Sequence, residues 1–268
     1  MTTRLLDHPY TIASVTPTLC RLLGIEPPSV CRAPVLEPVL ALAPARVDRV
    51  LVYAADAIGR VFLDNHPELK KRLAAASDVE VELRAMTPPK TPVCYASMFT
   101  GAPPEVHGIT KYERPVLACD TLFDALARDG KWVAIVAVKD CSVSIIFRNR
   151  PIDYFIEADD AAVLDRTLSL FAGDRYDFIL SYNQGYDDEL HRTRPDSPEA
   201  LAAAVRHVET FERLQSVTDQ HWAGYSRALV FTPDHGAHYD AAKGKGDHFD
   251  DIPDDMDVLH FWRFGAAE

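Results

Sequence analysis

The stretch LVFTPDHGAHYD sets Asp234, His235 and Gly236 directly after a β-branched apolar run. A buried strand ending this way delivers a carboxylate and an imidazole to the edge of a sheet. That donor pair suits zinc, and carboxylate oxygen also suits manganese or magnesium. Gly236 lets the backbone turn tightly beside an ion. Asp187 and His191 stand four apart in YDDELHR, so one helical turn places both on one face. GKGDHFDD adds His248 behind two glycines, and VLVYAAD ends on Asp56. Each piece alone reads better as a turn, a solvated acidic loop or a satisfied histidine; the set is what points to metal chemistry.

Two threonines, Thr87 and Thr91, are candidate nucleophiles in TPPKTPVCYASMFTGAPPEVHGI. Thr91 precedes Pro92, a residue that fits the first turn of a helix, so its hydroxyl is expected at a helix N-terminus that favours anions. A threonine hydroxyl is a weak nucleophile unless a metal stabilises its alkoxide. An ordinary helix-capping role is the alternative.

These side chains need elements to hold them, and from residue 47 strands and helices alternate. VDRVLVYAAD, VEVELRA, WVAIVAV, YDFILSYN, RALVFTPD and DVLHFWRF read as strands, and CSVSIIF as a further short one. Helical spacing covers residues 59–76, 92–101 and 159–171, with Val61, Phe62, Leu69 and Leu73 on one side of the first. TLFDALARDG reads as a short helix with Asp120 as its N-cap and Gly130 as its stop, and SPEALAAAVRHVETFERLQSVTDQHW as the longest helix. The alternation predicts an α/β fold, a three-layer α/β/α sandwich around a mostly parallel sheet. In such sheets ligands gather at the carboxyl ends of strands, where Asp56, Asp187 and Asp234 fall. Residues 1–45 differ: a short amphipathic segment, TPTLCRLLGI, leads into a proline-rich connector. The expected division is residues 1–45 as helix and connector packed on the core, and 46–268 as the main domain.

The chain has 268 residues with a net charge of −12, which argues against a nucleic-acid surface. No run approaches the ~20 apolar residues of a membrane span, and no signal peptide is apparent, so a cytoplasmic protein is expected. Cys20, Cys31, Cys94, Cys119 and Cys141 include no CxxC pair and read as reduced thiols. Asp247, Asp250, Asp251, Asp254, Asp255 and Asp257 crowd one stretch; bound cations would offset their repulsion, and for the last five a solvated loop is an equal reading.

Asp56, Thr91, Asp187, His191, Asp234, His235 and His248 occur in an order that resembles the alkaline phosphatase superfamily, in particular its type I phosphodiesterase/nucleotide pyrophosphatase branch. Thr91 lies nine residues before Thr100-Gly101, PPEVHGI follows, and Asp187-x-x-x-His191 runs into RPDSPEA. The likeness covers residues 47 to about 264. It implies a two-metal hydrolase: Asp56, Thr91, Asp234 and His235 on one ion, Asp187, His191 and His248 on the other, with zinc first and manganese or magnesium as alternatives. It also implies a covalent phospho-threonine intermediate on Thr91 and a small phosphorylated or phosphonate substrate. Homo-oligomer formation stays open.

The chain departs from the pattern at Cys94, where relatives carry an asparagine that holds a phosphate oxygen; a thiol is a weak donor. Cys94, Lys90 and Tyr95 are the candidate substrate-binding residues. Val93 and Tyr95 do not fit a sulfatase, and the lid of a phosphomutase is missing. A phosphonate hydrolase and a catalytically silent binding protein of the same fold are the alternatives. TPTLCRLLGIEPP resembles a segment that relatives carry after the metal ligands, which suggests a circularly permuted arrangement.

Overall fold

In the computed structural model, which describes residues 10–268, the apolar runs become strands. In chain order these are β1 (Arg49–Ala55), β2 (Val79–Arg84), β3 (Val133–Val138), β4 (Asp153–Glu157), β5 (Phe178–Asn183) and β6 (Arg227–Phe231), then β7 (His238–Asp240), β8 (Lys245–Asp247) and β9 (Asp257–Gly265). The helices are α1 (Val15–Leu23), α2 (Glu37–Leu40), α3 (Arg60–Asn65), α4 (Pro67–Ala75), α5 (Thr91–Thr100) and α6 (Pro104–His107), followed by α7 (Leu122–Arg128), α8 (Ser142–Ile146), α9 (Asp160–Phe171), α10 (Gly185–Arg192), α11 (Pro198–His221) and α12 (Pro253–Met256).

Seven strands form one sheet in the order β2-β9-β6-β1-β5-β3-β4. Only β9 runs against its neighbours, pairing antiparallel with β2 and β6. Strands β1, β3, β5 and β6 are buried along their whole length, as strands covered on both faces must be. One face carries α9 and α11; Thr167 of α9 bonds Ser181 of β5 at 3.0 Å, and Phe211 of α11 meets Phe231 of β6. The other face carries α5, α7 and α8 over an aromatic cluster of Phe99, Phe123, Phe147 and Phe178. The fold is the expected three-layer sandwich.

Local readings needed four corrections. Residues 59–76 form two helices, because Pro67 offers no N–H to continue α3 and pushes His66 out of the helical region (φ −121°, ψ 67°). CSVSIIF is helix α8, not a strand, with the Cys141 thiol accepting from the Ser144 N–H at its start. The cap of α7 is Thr121, in a reciprocal box with Asp124; Asp120 instead pairs with Arg128 and accepts from the Ser29 N–H. Among the acidic residues, Asp255 and Asp257 are not solvated but buried, the first accepting from the Phe249 and Asp250 N–H groups, the second pairing with Arg60. Strand β4 escaped the sequence reading, since DYFIE is half-exposed at the sheet edge and lacks an apolar run.

Helix α1 is buried except at Arg21 and rests against α5. The Thr16 hydroxyl donates to the Met98 carbonyl at 2.6 Å, and the N–H groups of Arg32 and Ala33 both reach the Gly101 carbonyl.

Candidate metal centre

Strands β6, β1 and β5 are adjacent and parallel, so the residues that follow them emerge at one edge. Asp56 follows β1, Asp234 and His235 follow β6, and α10, carrying Asp187 and His191, follows β5. His248 comes directly after β8 and Thr91 opens α5. The loops after β1 and β6 touch through glycine. A Cβ on Gly236 would fall 2.0 Å from the Asp254 carbonyl oxygen and 2.9 Å from the Gly59 Cα, so no side chain fits there.

The first cluster joins Asp56, Asp234 and His235, all essentially inaccessible to solvent. His235 Nε2 lies 3.3 Å from Asp234 Oδ2 and 3.5 Å from Asp56 Oδ1, with Thr91 Oγ1 3.4 Å away. Each carboxylate has one oxygen committed: Tyr182 donates its hydroxyl to Asp56 Oδ2, and the Ala57 N–H reaches Asp234 Oδ1 at 3.4 Å. The other two oxygens, Asp56 Oδ1 and Asp234 Oδ2, are buried without a hydrogen bond.

The second cluster joins Asp187, His191 and His248. Both ring nitrogens Nε2 lie near Asp187 Oδ1, at 3.3 Å for His191 and 3.2 Å for His248, and 3.0 Å from each other. The rings of His235 and His248 stack at 3.9 Å between centroids, which brings the two clusters together.

The tautomers follow from the partners. Nδ1 of His191 faces the Gly246 carbonyl, Nδ1 of His248 the Pro89 carbonyl and Nδ1 of His235 the Gly236 carbonyl. A carbonyl only accepts, so each Nδ1 carries the proton and each Nε2 of a neutral ring presents a lone pair. Lone pairs then face carboxylate oxygens and, between His191 and His248, one another. Something positive has to sit there: a proton, or a metal cation held as imidazoles with anchored Nδ1–H groups hold one.

The titration behaviour agrees. Burial pushes Asp56 well above the usual carboxylate range, and the charges of Asp234 and Asp187 add to it. Burial likewise raises Asp234 well above that range despite the Ala57 N–H. Burial drives His235 well below the ordinary imidazole value, helped by His248, so its ring stays neutral. Burial opposes the ionisation of Asp187, but His191 and His248 outweigh it and hold the carboxyl low; burial lowers His191, yet Asp187 leaves it raised overall. Buried acids crowded this closely resist joint ionisation until a cation joins them.

The structure thus brings Asp56, Thr91, Asp187, His191, Asp234, His235 and His248 to one edge, in two groups. Thr87 is exposed, outside both groups. Lys90 Nζ reaches Asp247 Oδ1 at 3.3 Å beside the Thr91 turn. The thiol of Cys94 points back to the Met86 carbonyl at 3.8 Å, and the Tyr95 ring stacks on Phe99 and forms a T-shaped pair with Tyr182. Sequence reasoning missed Tyr182: inside FILSYN a tyrosine reads as core filling, and only the fold turns its hydroxyl onto Asp56.

A family model for type I phosphodiesterase / nucleotide pyrophosphatase matches residues 53–263. No curated protein matches the chain. Among solved structures, murine ectonucleotide pyrophosphatase / phosphodiesterase 5, an inactive variant in complex with AMP, aligns with a TM-score of 0.57 at 18% identity, over 72% of this chain and 58% of that one. Phosphonoacetate hydrolase from Sinorhizobium meliloti in complex with phosphonoformate aligns with a TM-score of 0.53, also at 18% identity and over the same shares. The chain therefore spans less than two thirds of the length of these solved chains.

Proposed function

Because the chain belongs to the type I phosphodiesterase / nucleotide pyrophosphatase family, and so to the alkaline phosphatase superfamily, we propose that it hydrolyses phosphate esters, with Thr91 as the nucleophile and two divalent cations as cofactors. The observation that carries this reading is the Thr91 hydroxyl 3.4 Å from His235 Nε2, beside two buried carboxylate oxygens that have no other partner. Asp56, Asp234, His235 and Thr91 would hold one cation and Asp187, His191 and His248 the second. A bound pair of this kind would lower the basicity of the attacking oxygen and stabilise the charge on the leaving one.

The chain's own groups set the geometry. Tyr182 and the Ala57 N–H fix the two carboxylates with one oxygen each directed at the site. Helix α5 places the Thr91 oxygen at its N-terminus, where free N–H groups favour the phosphoryl oxygens. In the first step Thr91 Oγ bonds to phosphorus while the bond from phosphorus to the ester oxygen breaks, that oxygen leaving with the electron pair and taking up, through solvent, the proton that Thr91 gives up. In the second, water adds to phosphorus and the bond to Thr91 breaks, restoring the hydroxyl.

Cys94 offers no strong donor to phosphate, and this keeps a phosphonate substrate as the second reading. The test is Thr91→Ala assayed on 4-nitrophenyl phosphate, its bis-ester and phosphonoacetate. Wild type should turn over at least one of them, lose activity to a chelator and regain it with zinc, manganese or magnesium. Thr91→Ala should fall by about a thousand-fold or more. Equal background rates for both proteins on every substrate would leave the fold as a binding protein.

A further inference from the structure

His248 is buried, but Phe249, Asp250 and Asp251 directly after it are exposed. Acidic residues crowded on a solvated loop favour a hydrated, extended path, which would draw the His248 imidazole away from Asp187. One buried side chain opposes this. Asp255 of α12 is 0% exposed, and its Oδ2 accepts from the N–H groups of both Phe249 and Asp250, each at 2.9 Å. Its two oxygens also face His238 Nδ1, at 2.8 and 3.0 Å. A carboxylate only accepts, so that nitrogen carries the proton. The His238 ring in turn forms a T-shaped pair with Phe249, 5.0 Å between centroids. Burying a carboxylate is costly unless donors surround it; here three N–H groups do, and two of them are the amides that follow a proposed ligand.

The main chain of the same residue reaches the other cluster. The Asp255 carbonyl accepts from the Gly236 N–H at 2.8 Å, and the Gly236 carbonyl anchors Nδ1 of His235. Residue 255 therefore holds the neighbour of one histidine through its backbone and the neighbours of the other through its side chain. His235 and His248 are the two rings that stack at 3.9 Å across the clusters.

On the two-cation reading, we infer that Asp255, braced by His238, is a positioning residue for the second cation site: its carboxylate fixes His248 against Asp187 and His235, and with it the spacing of the two sites. Replacing the side chain leaves the carbonyl on Gly236 in place. A loss of affinity is therefore expected at the second site and not at the first, whereas general damage to the fold would weaken both.

Zinc is titrated into the full chain in competition with a chelating dye, with His191→Ala marking which binding step belongs to the second site. Asp255→Ala should weaken that step about ten- to hundred-fold and leave the other within about three-fold. Asp255→Asn should recover most of the loss, because its amide oxygen still accepts from both N–H groups and its NH2 can face His238 once that ring's proton moves to Nε2. Should Asp255→Ala fail to fold by circular dichroism, His238→Phe decides in its place. It keeps a ring against Phe249 but removes one donor, and should weaken the same step about three-fold or more; an unchanged step there would overturn the assignment. Two zinc ions bound alike by wild type and Asp255→Ala, both steps weakened equally, or no recovery in Asp255→Asn would also overturn it and leave the hydrolase reading standing. A wild type that binds no zinc would overturn both.

Discussion

At the scale of single residues, the proton inventory separates groups that can do chemistry from look-alikes. Ser97 and His107 form a buried pair at 2.8 Å and resemble a nucleophile with its base. The Ile109 N–H occupies His107 Nδ1, so Nε2 carries the proton and donates to Ser97; the ring cannot accept one from it. Tyr182 is a different case, because it touches a proposed ligand. Tyr182→Phe should leave Asp56 free to rotate and lower zinc affinity about ten- to hundred-fold, measured by competition with a chelating dye. Unchanged affinity would show that β1 alone fixes the carboxylate. That Asp234-His235 and Asp187-His191 belong with Asp56, Thr91 and His248 was legible only from the set and its order, since each piece alone reads as a turn or an acidic loop. Tyr182 was not: its role depends on β1 and β5 being neighbours, a fact of topology that no local pattern carries.

At the scale of elements, two joints set the site. The contact between Gly59 and Gly236 lets the loops after β1 and β6 pass at backbone distance. Gly236→Ala would force the Asp254 carbonyl away. The expected result is a loss of about 1–3 kcal/mol in urea unfolding, the range for overpacked interiors, together with weaker metal binding. The other joint is α1 on α5, the helix whose first residue is Thr91. If residues 1–45 are the permuted counterpart of a segment that relatives place later, cutting them away by limited proteolysis should destabilise the remainder. Unchanged stability would reduce them to an appendage. The buried strands and the long helix α11 were readable from apolar runs and from Ser197-Pro198. The split at His66-Pro67, helix α8 and strand β4 were not, since short elements take their state from neighbours more than from their own pattern.

For the whole molecule, the histidines predict how stability follows pH. Burial lowers His107, His207 and His260 to about 4, against an ordinary 6.5. The unfolded chain therefore takes up protons first as pH falls. The stability these neutral rings permit is complete above pH 6.5 and is lost progressively down to about 4. In chelator-treated protein the raised carboxyls of Asp56 and Asp234 take up protons first in the folded state and oppose this loss. The test therefore compares wild type with His207→Gln: urea unfolding at pH 7.5 and 4.5 should lose about 1–3 kcal/mol less stability in the variant, and the same pH dependence in both proteins would contradict the burial of this ring. The three-layer plan was legible because the alternation of strands and helices extends over most of the chain, whereas the strand order emerged only in three dimensions.

Strand β9 comes after every proposed ligand in the sequence yet lies in the sheet between β2 and β6. During synthesis β2, bridged earlier only at Arg84 by Tyr10 and Thr11, therefore waits for its partner strand until residues 257–265 have cleared the ribosome, and Pro233, next to Asp234, waits for His260 to meet its carbonyl. A nascent chain stalled just before that point should stay sensitive to protease, and emergence of β9 should make it resistant in a single step.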